Sequence, residues 1–191
     1  TLEGTSLEVN GNRLDLTGKA QNVLSKPVWN MTAQSTSLDP ASLIRLFPMY
    51  AGKMPPDLSF KGPAKLEIRS SGSPDDFGVE AGVDMNLMEI AYGEVFGKPS
   101  GVAMNLESAA GVKGGVVTVR SLDLALYNLQ LSGSGRISLK DQTPSADVKI
   151  ASKPFTLKGW DTIVPMLAQY QPDGSIGAIT AGLSGPLDNA A

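Results

Sequence analysis

The stretch Val116-Val117-Thr118-Val119-Arg120-Ser121-Leu122-Asp123-Leu124-Ala125-Leu126, continued by Leu129-Gln130-Leu131 and Ile137-Ser138-Leu139, decides the fold class. Apolar and polar residues alternate through it, the two-residue period of a strand with one face buried and the other wet. The pattern extends to Val148 and Ile150 on one side. On the other it runs back through Val102/Met104/Leu106, Val83/Met85/Leu87, Leu66/Ile68, Leu58/Phe60, Val28 and Leu14/Leu16. Turn signals separate these runs: Asn10-Gly11-Asn12, Gly72-Ser73-Pro74-Asp75-Asp76, Gly97-Lys98-Pro99-Ser100-Gly101 and Lys140-Asp141-Gln142-Thr143-Pro144. Asn-Gly supplies the positive φ of a tight hairpin, and the Pro/Asp/Gly clusters end a strand and reverse it. Such short returns leave no room for βαβ crossovers, which need about a dozen connecting residues or more. The expected fold is mainly β: an elongated, strongly curved antiparallel meander, open like a taco or trough, with two short helices.

Those helices are expected where the alternation breaks. Asp39-Pro40 suits an N-cap followed by the first helical position, where proline's missing N–H is harmless. Leu43, Ile44, Leu46, Phe47 and Tyr50 follow at helical spacing. In the second segment, Lys158 to Tyr170, the residues Trp160, Ile163, Val164 and Leu167 fall on one helical face. Leu43, Phe47, Trp160, Ile163 and Leu167 are the expected anchors of these helices on the sheet. Pro48 and Pro165 should kink or end them. The two segments also match: Leu38, Leu43, Leu46 and Pro48-Met49 recur in the same order and spacing as Phe155, Trp160, Ile163 and Pro165-Met166. A strand, short helix, proline, strand motif is thus read at 37–69 and 154–184. It implies one β-rich unit over 1–191, with repeat units of approximately 1–70 and 71–184, growing by stacking. The chain opens on Thr1 with strand-like residues, which reads as a fragment of a longer protein.

Composition removes several function classes. The 191 residues include no His and no Cys, which takes away the common nucleophile–base pairs and ordinary zinc sites. The formal charge of −3 offers no basic stripe for a phosphate backbone, so no nucleic-acid partner is expected. No run approaches the roughly 20 apolar residues of a membrane span. Gly133-Ser134-Gly135 lacks the helix start and lysine of a phosphate loop and reads as a strand bend or bulge. Asp75/Asp76 belong to a turn, and Glu89/Glu94 to the solvent face, without the polar, aromatic-lined cleft that paired catalytic carboxylates require. No catalytic residue, metal ligand or cofactor is expected, and the chain does not read as an enzyme. Trp160 should anchor its segment through its indole N–H. Trp29 is expected near a sheet edge.

Three runs carry a family resemblance: Ala91-Tyr92-Gly93-Glu94-Val95-Phe96-Gly97-Lys98-Pro99-Ser100-Gly101-Val102; Leu122-Asp123-Leu124-Ala125-Leu126-Tyr127-Asn128-Leu129-Gln130-Leu131-Ser132-Gly133-Ser134-Gly135; and Ser152-Lys153-Pro154-Phe155-Thr156-Leu157-Lys158-Gly159-Trp160. In order and spacing they resemble the C-terminal periplasmic region of the AsmA family. The resemblance implies a curved sheet with an apolar inner groove, in proteins related to TamB and the bridge-like lipid transfer proteins. It also implies a periplasmic location, anchored to the inner membrane by an N-terminal segment outside this sequence. The implied role is lipid transport in bacterial outer-membrane biogenesis, with a phospholipid or other acyl-chain lipid as partner.

The alternation supports such a face without the family. About ten strands with three or four inward residues each give roughly 30–40 apolar side chains, each worth about 1.5–3 kcal/mol when buried. Net domain stability is only about 5–15 kcal/mol, so the face must be covered by the sheet itself or by an apolar ligand. A β-sandwich presents the same alternation. By strand parity the expected lining is Val83, Met85, Leu87, Val102, Met104, Leu106, Val117, Val119, Leu122, Leu124, Leu126, Leu129, Leu131, Ile137, Leu139, Val148 and Ile150. Met85, Met88 and Met104 on or near these rows suit irregular acyl chains. The rival reading is a structural spacer or assembly scaffold that docks an envelope partner through free strand edges.

Overall fold

The computed structural model describes residues 2–46, 54–139 and 143–186. In chain order its elements are β1 (Leu2–Val9), β2 (Asn12–Gln21), β3 (Val28–Leu38), the helix α1 (Pro40–Leu46), β4 (Leu58–Lys61), β5 (Ala64–Ser73), β6 (Asp76–Asp84), β7 (Glu89–Tyr92), β8 (Phe96–Lys98) and β9 (Met104–Lys113). There follow β10 (Val116–Leu126), β11 (Leu129–Ser138), β12 (Ser145–Ser152), β13 (Phe155–Thr156), β14 (Ser175–Ile176) and β15 (Thr180–Pro186). Ten strands form one sheet in the order β1-β2-β3-β5-β6-β9-β10-β11-β12-β15, and every pairing is antiparallel. Each strand pairs with the next large-sheet strand along the chain, so the fold is a meander. The sheet is not closed. Among the described residues β1 and β15 are its edge strands, and the ten strands form one continuous ladder.

Local chemistry explains the reversals. Asn10 (φ 49) and Gly11 (φ 77) both take positive φ between β1 and β2, the conformation that a two-residue hairpin matched to strand twist requires. Gly114 and Gly115 do the same between β9 and β10.

Three excursions leave the large sheet, all at one end of its strands. Residues 39–63 join β3 to β5, 85–103 join β6 to β9, and 153–179 join β12 to β15. The first two share a three-stranded sheet of order β4-β7-β8. The second and third are tied by the Gly97 N–H, which donates to the Ile163 carbonyl at 2.7 Å. Together they build a cap over that end. One core cluster joins Ala64, Met88 and Ile90 to Leu58, Phe60, Val83, Met85, Phe96 and Met104. The other joins Leu126, Trp160 and Ile163 to Phe96, Val102, Met104, Leu129, Phe155, Val164 and Leu167. Phe96 and Met104 belong to both, so the cap has one continuous interior.

Of the two expected helices, one forms. At α1 the Asp39 Oδ1 accepts from the Ala41 N–H at 3.0 Å, an N-cap ahead of Pro40. The segment from Lys158 to Tyr170 is instead two 3₁₀ turns, Trp160–Thr162 and Pro165–Leu167. Gly159 enters at φ 85, and Pro165 has no N–H with which to continue a helical ladder, so the turns stay separate. Trp160, Ile163 and Leu167 nevertheless anchor the segment in the second cluster. Of the other anchors, Phe47 lies outside the described residues, as does the side chain of Leu43. Trp29 stands on β3, third in the sheet order, and not near an edge.

Candidate functional site

Residues paired across an antiparallel ladder share a face, and successive residues of a strand alternate faces. The ladder registers therefore sort the large sheet into rows. One runs Ser35–Leu66–Val83–Leu106–Leu124–Leu131–Ser152. The next runs Leu16–Ala33–Ile68–Ala81–Ser108–Leu122–Gly133–Ile150–Ala181. A third runs Gly18–Met31–Ser70–Val79–Ala110–Val119–Gly135–Val148–Leu183, and a fourth Ala20–Trp29–Gly72–Phe77–Val112–Val117–Ile137–Ala146–Gly185. No Asp, Glu, Lys or Arg occurs in any of the four. The charges of the same strands, among them Lys19, Glu67, Arg69, Glu80, Glu107, Asp123, Arg136, Asp147 and Lys149, alternate onto the opposite face.

A β-bulge keeps this segregation intact. On β10 the register shifts between Val119 and Leu122 against both β9 and β11. The irregularity moves Leu122, Leu124 and Leu126 onto the face of Val117 and Val119, although 119 and 122 differ in parity. Arg120, inside the bulge, lies on the charged face. A Cβ at Gly111 would stand 3.3 Å from its Nη1, and one at Gly78 3.7 Å from its Nη2. The missing side chains give the guanidinium its bed.

The uncharged face is covered at one end and bare over much of the rest. Near the cap, Met104, Leu126, Leu129 and Val83 are packed under the small sheet and the 3₁₀ turns. Farther out most side chains are half-buried or exposed, while the small Ala146 is buried. Leu122 is 40% exposed, Ile150 45% and Leu183 67%. Across the nine strands that the longest rows cross, spaced about 4.8 Å apart, the face is roughly 38 Å wide, and its four rows span about 20 Å along the strands.

The expected lining residues divide accordingly. Val83, Met104, Leu106, Val117, Val119, Leu122, Leu124, Leu126, Leu129, Leu131, Ile137, Val148 and Ile150 lie on strands and share the uncharged face. Met85 and Val102 lie in connections, inside the cap clusters. Leu87 is 57% exposed in a turn between β6 and β7, and Leu139 is 56% exposed just past the end of β11. Met88 is a core residue, 2% exposed. The strand pattern failed at 85–87 because β6 ends in a side-chain turn, where Asp84 Oδ1 accepts from the Asn86 N–H at 2.9 Å.

Two polar arrangements hold the cap, and both escaped the pattern. Lys98 is 1% exposed, and its Nζ donates to the carbonyls of Met88 (2.7 Å), Pro99 (3.1 Å) and Asn86 (3.3 Å). Desolvation pushes its pKa below the ordinary lysine value, with the Asp84 charge opposing. Asn12, buried at the start of β2, ties α1 down by donating to Ser42 Oγ and accepting from the Asp39 N–H. Trp160 Nε1 donates to Asn128 Oδ1 at 2.9 Å. The indole thus meets a side-chain amide.

On the charged face, shallow depressions open where Gly82, Ala109 and Ser121 leave gaps between Glu67, Arg69, Glu80, Glu107 and Asp123. Among the described residues no group of three or more acidic side chains is placed to hold a metal ion. No described helix is long and apolar enough to cross a membrane. Comparison with protein-family models, with curated proteins and with solved structures finds no match, so the likeness to the AsmA family rests on the residues quoted above.

Proposed function

We propose that this chain is a non-enzymatic lipid-binding and lipid-transfer module that seats acyl chains on the uncharged face of its ten-stranded sheet. One observation carries the reading: four consecutive rows across the sheet contain no charged residue, yet most side chains beyond the cap stay half-buried or exposed. An acyl chain laid there would lose its water contact at about 0.8 kcal/mol per methylene, as would the Leu, Ile and Val side chains beneath it. The headgroup would stay in water beyond the rim. Binding at any one place would be modest, since neighbouring rows offer nearly equivalent surface and a ligand can shift between them. Following the family resemblance, the setting would be the periplasm, and the process the supply of phospholipid for outer-membrane biogenesis.

Trp29 on the outermost row and Trp160 in the cap give the test. Delipidated protein is titrated with a brominated fatty acid, using Trp160→Phe to isolate Trp29 and Trp29→Phe to isolate Trp160. Saturable quenching of Trp29, with Trp160 much less affected, is the expected result. No quenching of either, or quenching confined to Trp160, would overturn the reading.

A further inference from the structure

Among the described residues the open sheet has two edge strands, β1 and β15, and they are built differently. At the β1 edge the register against β2 is irregular between Leu2 and Thr5, with Gly4 at φ 66. Glu8 lies on that strand opposite Arg13. Bulges and charges are the usual protection of a free edge. The β15 edge has neither. Thr180-Ala181-Gly182-Leu183-Ser184-Gly185-Pro186 is uncharged, pairs with β12 in unbroken register, and leaves Leu183 67% exposed.

The ladder also fixes which groups point outward. The Ser152 N–H donates to the Ile179 carbonyl, so odd-numbered residues here bond to β12. Thr180, Gly182 and Ser184 then direct their N–H and C=O groups away from the sheet, since the direction alternates. Pro186 offers only a carbonyl.

We propose that β15 pairs antiparallel with β15 of a second copy, Leu183 facing Leu183 across the two-fold axis. In this register Gly182 exchanges backbone hydrogen bonds with Ser184 of the other copy. The Thr180 N–H reaches the Pro186 carbonyl, where proline's missing donor matters least. Leu183 forms a close, non-hydrogen-bonded pair, and the uncharged rows run on into the second sheet. Leu183 selects this register over its neighbours, since sliding by two residues in either direction would set it against Ala181 or Gly185 and lose the apolar cross-strand pair. The inference stands apart from the lipid reading, because it uses the edge rather than the face.

The chain contains no cysteine, so single-cysteine variants report the contact directly. Leu183→Cys should form a disulfide-linked dimer under mild oxidation, whereas Leu7→Cys on the β1 edge should stay monomeric. Sedimentation of lipid-free protein over a concentration series should show a monomer–dimer equilibrium. Leu183→Lys, exposed and with its backbone bonds to β12 intact, should weaken it at least about tenfold. A monomer at every concentration, or equal crosslinking from Leu7→Cys and Leu183→Cys, would overturn the proposal. Fatty-acid binding by a strictly monomeric chain would leave the lipid reading standing and remove this one.

Discussion

Trp29 and Phe77 meet across Gly72, their ring centroids 5.8 Å apart and tilted by 46°. Trp29 pairs with Gly72 on one side and Phe77 pairs with it on the other, so the two rings close over a residue without a side chain. The indole N–H donates to Ser70 Oγ at 2.9 Å, which fixes the ring on the outermost uncharged row. A Cβ on Gly72 would collide with the Asp76 carbonyl and stand 2.5 Å from Phe77 Cα, at a φ of 134°. Gly72→Ala should therefore destabilise the protein by about 2–4 kcal/mol, from strain and close contact together. Gly82, on the same pair of strands but the charged face, has nothing within 4 Å of such a Cβ. There the alanine should be neutral or stabilise by about 0.5–1 kcal/mol. Urea unfolding of both variants measures the contrast.

Lys98 yields a prediction of opposite character, since its ammonium is buried without a carboxylate in hydrogen-bond contact. Lys98→Met removes the donor to three carbonyls while relieving the desolvated charge. The net effect should be a loss of about 1–3 kcal/mol, because unsatisfied buried acceptors outweigh that relief. The pH dependence carries its own sign. Lys98 releases its proton at a lower pH when folded than when unfolded. Between those two values the unfolded chain binds more protons, so folding is favoured as pH rises. The stability advantage of the wild type over Lys98→Met should thus grow as pH rises toward the ordinary lysine pKa of 10.5. Denaturant unfolding at several pH values would show it, and a constant difference would count against the desolvated ammonium.

What could be read in advance follows from which residues obey a two-residue period. Alternation with turn signals identifies the open antiparallel meander, because each strand buries one face and connects to its neighbour by a short return. It also groups the apolar side chains by face, and even the step from Val119 to Leu122 leaves a visible break where the bulge lies. It fails where side chains, not the ladder, set the backbone. The helical spacing of Trp160, Ile163, Val164 and Leu167 is real, yet Gly159 and Pro165 hold it to 3₁₀ turns. Strand parity carries Met85 and Leu87 onto the face, but the Asp84–Asn86 turn ends the strand first. Lys98 looks like any surface lysine, since its burial depends on the Asn86 and Met88 carbonyls of the preceding turn as well as on that of its neighbour Pro99. Trp29 was misplaced because order within a sheet is a tertiary property, invisible to local pattern.

Asn128 joins two parts of the cap. Its Oδ1 accepts from Trp160, and its Nδ2 donates to the Thr156 carbonyl and Oγ1 at 2.9 and 2.8 Å. Asn128→Ala leaves a buried indole N–H without its partner, so a loss of about 1–3 kcal/mol is expected. Trp160 also packs edge-on to Tyr127 at 6.4 Å and against Phe155 at 5.7 Å. Those contacts should keep the ring in place. The Trp160 emission in the Trp29→Phe background should then shift little while thermal stability drops. A large red shift at unchanged stability would contradict this account of the cap.

The uncharged face predicts how binding depends on ligand and on substitution. If acyl chains lie on it, each added methylene contributes about 0.8 kcal/mol, close to fourfold in affinity, until the chain outruns the rows and the gain levels off. A ligand held by its headgroup instead would show little dependence on chain length. Leu122 and Ile150 flank Gly133 on the second row, where a Cβ would meet Leu122 Cβ at 3.6 Å and Ile150 Cγ1 at 3.8 Å. Both are substantially exposed, so Leu122→Glu or Ile150→Glu should fold, yet place a carboxylate where an acyl chain must displace its water. Affinity for a long-chain fatty acid should fall at least about tenfold in either variant, roughly 1.4 kcal/mol. Asp123→Asn and Lys149→Gln alter charge on the opposite face by the same single unit and should leave binding within about twofold. Equal losses from both pairs would mean that net charge, rather than this face, governs binding. Calorimetric titration over a series of chain lengths, repeated on the four variants, separates these outcomes.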